Sequence, residues 1–206
     1  MNETDFWAGN FGNDYTDRNT GNAMIESNIS LFADALAKTK NVKTMIELGC
    51  NKGLNLAAID YIDPSIVATG IDVNAKALLD LANLFEDLKK DQPYTFRSSI
   101  QDFETEEKYD LVLTKGVLIH INPDDLPTVY EKMYDLSSKY ILVAEYFNPT
   151  PVEITYRGHH GRLWKRDFAG EMIDKYNLKL VSYGFVYSRD KYPQDNLHYF
   201  LLSREA

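Results

Sequence analysis

Two short stretches of this sequence bring together residue types that could hold a nucleoside. Glu47-Leu48-Gly49-Cys50-Asn51-Lys52-Gly53 closes a short apolar run, and Gly49 and Gly53 let backbone pass close to a bound molecule with no Cβ in the way. Asp72 ends the next apolar run, 23 residues beyond Gly49, a separation typical of an acid that grips a ribose diol. A dinucleotide site would need glycines at 49, 51 and 54, but Asn51 and Leu54 occupy the last two, so a pyrophosphate would meet side chains. A smaller nucleoside ligand fits better.

Two further features could act on a second molecule. His120 ends the segment Leu-Val-Leu-Thr-Lys-Gly-Val-Leu-Ile-His. A histidine titrating near its ordinary 6.5 suits removal of a hydroxyl proton. The alternative is a buried histidine satisfied by backbone. The stretch 157–166 holds Arg157, His159, His160, Arg162, Lys165 and Arg166 and no acid. Such groups could grip a carboxylate, phosphate or phosphonate; a solvated loop balancing acidic neighbours is the alternative. His159 and His160 are rival bases on a glycine-flanked loop, and His198 reads as structural. Cys50 is assigned packing rather than nucleophilic chemistry. Asp124 and Asp125 favour the positive end of their helix, and no metal is expected.

The elements that position these residues follow from periodicity. Helical spacing covers about 22–38; strands are expected at 44–48, 66–71, 94–96, 109–114 and 140–145. A helix over about 53–61 is broken by Asp63-Pro64, and Asn74 caps a long amphipathic helix reaching about Lys90. Asn122-Pro123 should open a helix to about 137, residues 148–164 should be irregular, and 165–176 helical. Two final strands, 178–187 and 196–203, form an antiparallel hairpin. The order predicts an α/β fold: a doubly wound, mostly parallel seven-stranded sheet with an antiparallel C-terminal hairpin, Rossmann-like. Ligands of such sheets sit beyond the carboxyl ends of the strands, where strand order reverses.

With these residues in hand, a resemblance is apparent. Ile46-Glu47-Leu48-Gly49-Cys50-Asn51-Lys52-Gly53, followed by Ile71-Asp72-Val73-Asn74, resembles motifs I and II of the class I S-adenosylmethionine (SAM) methyltransferases. Tyr109 to His120 resembles that superfamily's motif at the end of the fourth strand, and Ser98-Ser99-Ile100-Gln101-Asp102 its adenine-side loop. The resemblance implies that Glu47 orients the loop or the methionine amino group. It implies that Gly49, Cys50, Asn51 and Gly53 line the methionine and ribose, and that Asp72 accepts the ribose hydroxyls with Val73 against the adenine. Ser99 and Ile100 would edge the adenine, and Thr114 and Lys115 would present backbone near the methionyl part.

The chain ends are more distinctive. Phe6-Trp7-Ala8-Gly9-Asn10-Phe11-Gly12, Tyr15, Arg18-Asn19, Tyr156-Arg157-Gly158-His159-His160-Gly161 and Asn196 to Leu202 are similar to the methylases associated with pseudaminic acid biosynthesis. Phosphonate O-methyltransferases are relatives of that group. The expected activity is SAM-dependent O-methylation of a small anionic acceptor, a nonulosonic acid or its activated derivative, releasing S-adenosylhomocysteine. His120 would be the base, with Arg157, His159, His160 and Lys165 holding the acceptor. A phosphonate or carboxylate O-methyltransferase is the first alternative, and a non-catalytic SAM-binding scaffold an alternative of another class. The aromatic segment 1–21 reads either as a lid, with Trp7 or Tyr15 beside the sulfonium and Arg18 on the methionine carboxylate, or as a segment packed on the sheet.

Composition agrees with one ordinary domain spanning 206 residues, 44% of them hydrophobic and 13% aromatic, far from a disordered composition. One cysteine excludes an internal disulfide framework. A net charge of −9 gives no general pull toward nucleic acid or anionic membrane. The polar start and the absence of a long apolar run lead to the expectation of a cytoplasmic protein. Oligomeric state is not legible.

Overall fold

The computed structural model describes residues 3–18 and 22–204. Asn19, in the opening motif, and the ends of the 1–21 segment lie outside the described residues. Two short helices come first, α1 (Glu3–Ala8) and α2 (Asn10–Arg18), then α3 (Asn22–Leu36). An alternating series follows: β1 (Thr44–Leu48), α4 (Leu54–Ile62), β2 (Val67–Asp72), α5 (Ala75–Asp87), β3 (Tyr94–Arg97), β4 (Tyr109–Lys115), α6 (Leu126–Leu136) and β5 (Ser137–Glu145). The chain ends with β6 (Val152–Glu153), β7 (Trp164–Lys165), α7 (Phe168–Tyr176), β8 (Lys179–Val186) and β9 (Leu197–Ser203).

Seven strands form one sheet in the order β3-β2-β1-β4-β5-β9-β8. The first five are parallel; β9 runs antiparallel to β5, and β8 to β9. The expected doubly wound sheet with its C-terminal hairpin is what forms. Parallel strands buried on both faces need near-continuous apolar runs, and β1 and β4 supply them. Alternation sends Met45 to one apolar layer, with Phe32, Leu56, Leu81 and Phe85, and Ile46 and Leu48 to the other, with Val112, Met133 and Met172. Strand order reverses between β1 and β4, and the carboxyl ends there are the predicted place for a ligand.

Three expectations change in detail. Asn122-Pro123 does not open α6. Asn122 Oδ1 accepts the Asp124 N–H at 3.0 Å, an Asx turn that holds the chain out of helix until Leu126. The helix expected from Lys165 starts at Phe168, because Asp167 caps it by accepting the Gly170 N–H at 2.8 Å. Trp164 and Lys165 instead pair with Glu153 and Val152, which gives the irregular 148–164 region a small hairpin.

Candidate active site

A cavity of about 360 Å³ opens at the reversal point, floored by the ends of β1, β2 and β4 and roofed by α1 and α2. The loop after β1 is shaped by positive backbone angles: Gly49 has φ +79° and Gly53 +77°. A Cβ on Gly49 would come within 2.6 Å of Val117 Cγ2, so the glycine lets the loop lie against the turn after β4. The Gly49 and Cys50 N–H groups both donate to the Ile71 carbonyl at 2.9 Å, fastening loop to strand.

Asp72 stands at the centre of one wall. Its Oδ2 accepts the Asn51 N–H and its Oδ1 the Asn74 N–H, both at 2.8 Å. Burial pushes this carboxyl above its ordinary value, while the N–H groups of Asn74, Asn51 and Val73 pull it back down. The carboxylate keeps acceptor capacity beyond these backbone contacts for a hydroxyl in the cavity.

Asn74 joins this wall to the roof. Its Oδ1 caps α5 by accepting the Ala77 N–H at 3.0 Å, and its Nδ2 donates to the Trp7 carbonyl at 3.0 Å and to Asn13 Oδ1 at 2.9 Å. Lys76 Nζ adds an ion pair to Asp17 at 2.6 Å. The two roof helices cross tightly at Gly12, where a Cβ would lie 1.8 Å from the Trp7 carbonyl oxygen. Gly12→Ala is therefore expected to dislodge α1 from Asn74, weaken nucleoside binding about 10-fold by titration calorimetry and lower the melting temperature by a few degrees. Unchanged binding would mean that the roof does not contribute to holding the ligand.

His120 sits on the 3₁₀ turn Leu118–His120 after β4, lines the cavity and is buried. Its Nδ1 lies 2.7 Å from the Arg162 carbonyl, an acceptor only, so that nitrogen carries the proton and Nε2 keeps its lone pair. Burial lowers its pKa to about 4, opposed by the Arg162 contact, so the ring is neutral near pH 7 and titrates below the ordinary 6.5 expected from the sequence. The Trp7 ring is 4.6 Å away and the Tyr156 ring 4.9 Å, centroid to centroid. Aromatic walls and a neutral imidazole thus meet beside a nucleoside-sized cavity.

Residues 46–139 match a family model described as a methyltransferase domain. The whole sheet has the fold of the class I SAM-dependent methyltransferases. Magnesium protoporphyrin IX methyltransferase of Synechocystis with bound SAH aligns with a TM-score of 0.73 and 14% identity, over 99% of this chain and 100% of that one. The N-methyltransferase NodS of Bradyrhizobium japonicum, with S-adenosyl-L-homocysteine, aligns at 0.69 and 16% identity, over 91% and 90%. A SAM-dependent methyltransferase of Clostridium acetobutylicum aligns at 0.67 and 12% identity, over 94% and 99%. A search of curated proteins returns no match.

Of the residues singled out in sequence, Tyr15, Gly49, Cys50, Asn51, Asp72, Val73, Ile100, Lys115 and His120 line this cavity. Others stand behind or away from it. Glu47 is buried behind Asn55, whose Nδ2 donates to its Oε1 at 2.5 Å; burial raises its pKa to about 7. Gly53 faces Leu81, where a Cβ would lie 2.7 Å from Cγ. Ser99 is engaged with Asp102, donating to Oδ2 at 2.6 Å and accepting the Asp102 N–H at 3.1 Å. Thr114 is fully buried in β4. Arg18 is exposed over the rings of Phe11 and Tyr15, at 5.8 and 5.9 Å.

The basic stretch lies outside the cavity lining. Arg157, His159 and His160 are exposed on the turn closed by the Tyr156–His159 bridge, where the His159 ring meets Phe6 and Phe11 of the roof at 5.4 and 5.7 Å. Lys165 Nζ lies 5.1 Å from the Tyr146 ring centroid. Arg162 lies over Phe6 at 4.6 Å, and Arg166 is paired with Glu171 at 2.6 Å.

Asn28, Asn55 and Glu3 line the cavity, and Glu145 is buried beside it; none was legible as a site residue. For Glu145 a signal existed, since an acid ending the apolar run Ile-Leu-Val-Ala is costly to bury without a purpose. Among the described residues no group of three or more His, Cys, Asp or Glu is placed to hold a metal ion. No described helix is long and apolar enough to cross a membrane.

Proposed function

We propose that this chain transfers the methyl group of SAM to a hydroxyl oxygen of a small anionic acceptor, of the nonulosonic (pseudaminic-type) acid class named by the sequence resemblance. The observation that carries this reading is His120: a neutral imidazole on the cavity wall, with one nitrogen committed to a backbone carbonyl and the other free to take a proton. SAM supplies a methyl on a sulfonium, an electrophile that needs no activation beyond approach and alignment.

The residues present suit SAM. Asp72 offers lone pairs to a ribose diol while its other lone pairs are held by the backbone of Asn51 and Asn74. Val73 and Ile100 provide apolar walls for a purine, with Ser98 and Gln101 as polar edges. Trp7 and Tyr15 present aromatic rings, which favour a nearby cation. Partly buried Lys115, which lines the cavity, is pulled below the ordinary lysine pKa by desolvation, against the upward pull of Glu47, Glu145 and Asp195.

In the proposed reaction the methyl–sulfur bond breaks as the carbon–oxygen bond forms, and His120 Nε2 receives the hydroxyl proton. α1 and α2 exclude water and fix the reacting groups, so alignment supplies much of the acceleration. Arg157, His159, His160 and Lys165, which lie outside the cavity lining, are assigned to the acceptor's anionic group. Arg157→Ala and Lys165→Ala are each expected to raise acceptor KM about 5-fold with SAM affinity unchanged. An unchanged KM in both would remove the basic loop from acceptor binding.

Mass spectrometry of reactions with SAM and a panel of acidic sugars, their nucleotide-activated forms and simple phosphonates tests the whole reading. A gain of one methylene on a nonulosonate is expected. A gain only on a phosphonate would keep the site and discard the sugar, and its oxygen, already an anion, would need no base. No gain with any acceptor, while SAM binds, would replace the enzyme by a SAM-binding scaffold.

A further inference from the structure

His120 can serve as a base only if its turn is held still, and what holds it comes from a distant part of the chain. β4 ends at Lys115, beside Ala144 of β5, and Gly116, with φ +67°, turns the chain while its N–H donates to the Ala144 carbonyl at 3.0 Å. The next residues leave regular structure with their N–H groups buried: Leu118 is 0% exposed and Ile119 3%. Buried donors at the start of a turn must find acceptors. Glu145, the last residue of β5, supplies one. Its Oε1 accepts the Val117 and Leu118 N–H groups, both at 3.0 Å, and the Ile119 N–H contributes to the same field.

We infer that Glu145 is a positioning residue for methyl transfer, clamping the 117–120 turn so that His120 is held at the cavity with Nδ1 on the Arg162 carbonyl. The inference rests on the reading of His120 as the base.

Three contacts then lock the histidine. Its backbone N–H donates to the Val117 carbonyl at 2.9 Å, its ring to Arg162 at 2.7 Å, and Glu145 anchors the residues between. The ionised carboxylate is the form these donors favour, and it is expensive to keep: Glu145 is 3% exposed, and its Oε2 is fully buried with no hydrogen-bond partner among the described residues. Desolvation raises its pKa to about 7, against the pull of the turn N–H groups and of Lys115; the Tyr130 hydroxyl is engaged elsewhere, donating to Glu171 at 2.7 Å. A carboxylate held at such a penalty is explained by the geometry it imposes on its neighbours. A leucine would fill the space but would leave at least two buried N–H groups unpaired.

The test reads His120 directly and needs no acceptor. Imidazole resonances of the full chain are followed by NMR from pH 3 to 8, and His120 is assigned by its loss in His120→Asn. In the unsubstituted protein His120 is expected to titrate near 4. Glu145→Ala should loosen the turn, wet the ring and move the titration toward the ordinary 6.5. Glu145→Gln keeps an amide oxygen for the two donors and should hold the titration low. Should Glu145→Ala fail to fold, Glu145→Asp draws the acceptor back by one methylene and should give an intermediate value. Once an acceptor is known, Glu145→Ala should lower kcat about 10- to 100-fold with SAM affinity unchanged.

His120 titrating identically in all folded variants would overturn the positioning role. Should the titration move while His120→Ala keeps full kcat, Glu145 positions the turn and the base assignment fails. A fixed titration with a kcat abolished by His120→Ala leaves the base and removes the clamp.

Discussion

His120→Ala is expected to lower kcat by about 10²- to 10⁴-fold, the range over which a positioned general base contributes, while SAM affinity stays within about 2-fold. The second half of that expectation follows from geometry. His120 meets Trp7 and Tyr156 and donates to Arg162, whereas the groups suited to a ribose, Asp72 and the backbone of Asn51, belong to another part of the wall. The pH dependence sharpens the test. Protonation removes the Nε2 lone pair, so activity falls as pH drops through the pKa of the ring. Burial sets that pKa to about 4, so the part of the kcat profile due to His120 should stay level from pH 8 to about pH 5 and fall only below. A histidine in water would lose half its activity near 6.5. Isothermal titration with SAM, beside initial rates across pH, separates the two parts. An intact kcat in His120→Ala would mean an acceptor that is already an anion, for which alignment alone suffices.

Asp72→Asn should be as damaging to SAM binding as Asp72→Ala, raising Kd by about 100-fold or more. The usual view of Asn as a mild replacement fails here because both carboxylate oxygens face N–H donors, from Asn51 on one side and Asn74 on the other. An amide can present its oxygen to only one of them and must turn its own NH₂ toward the other. The loss then spreads, since Asn74 caps α5 and holds the Trp7 carbonyl over the cavity. Calorimetric titration with SAM on both variants decides it. Near-native affinity in Asp72→Asn would show that neither the ribose nor the loop depends on this carboxylate.

The fold was largely legible because its signals are local. Apolar runs at 44–48 and 109–114, with helical spacing between them, read directly as buried parallel strands and crossover helices. The discrepancies were local too. Asn122 formed an Asx turn where a helix was expected, and Trp164-Lys165 joined a two-residue hairpin that no propensity in so short a stretch announces.

Much of the candidate site was less legible, because its contacts cross long stretches of chain. Asn74 read as a helix cap, and it is one; its second bond, to the Trp7 carbonyl, spans 67 residues and makes the aromatic opening a roof. The basic stretch showed a charge pattern, but not that Arg166 is neutralised by Glu171 or that His159 faces the roof helices.

By itself, then, the sequence determined the layers, the order of elements and the position of the glycine turn and Asp72, because periodicity and backbone freedom act over a few residues. Only the tertiary structure decided which groups became partners and in what protonation state. Glu145 meets Val117 and Leu118 across 28 and 27 residues, and His120 meets Arg162 across 42. The imidazole is neutral because packing removes its water, and desolvation is a property of the assembled fold that no local run of residues encodes.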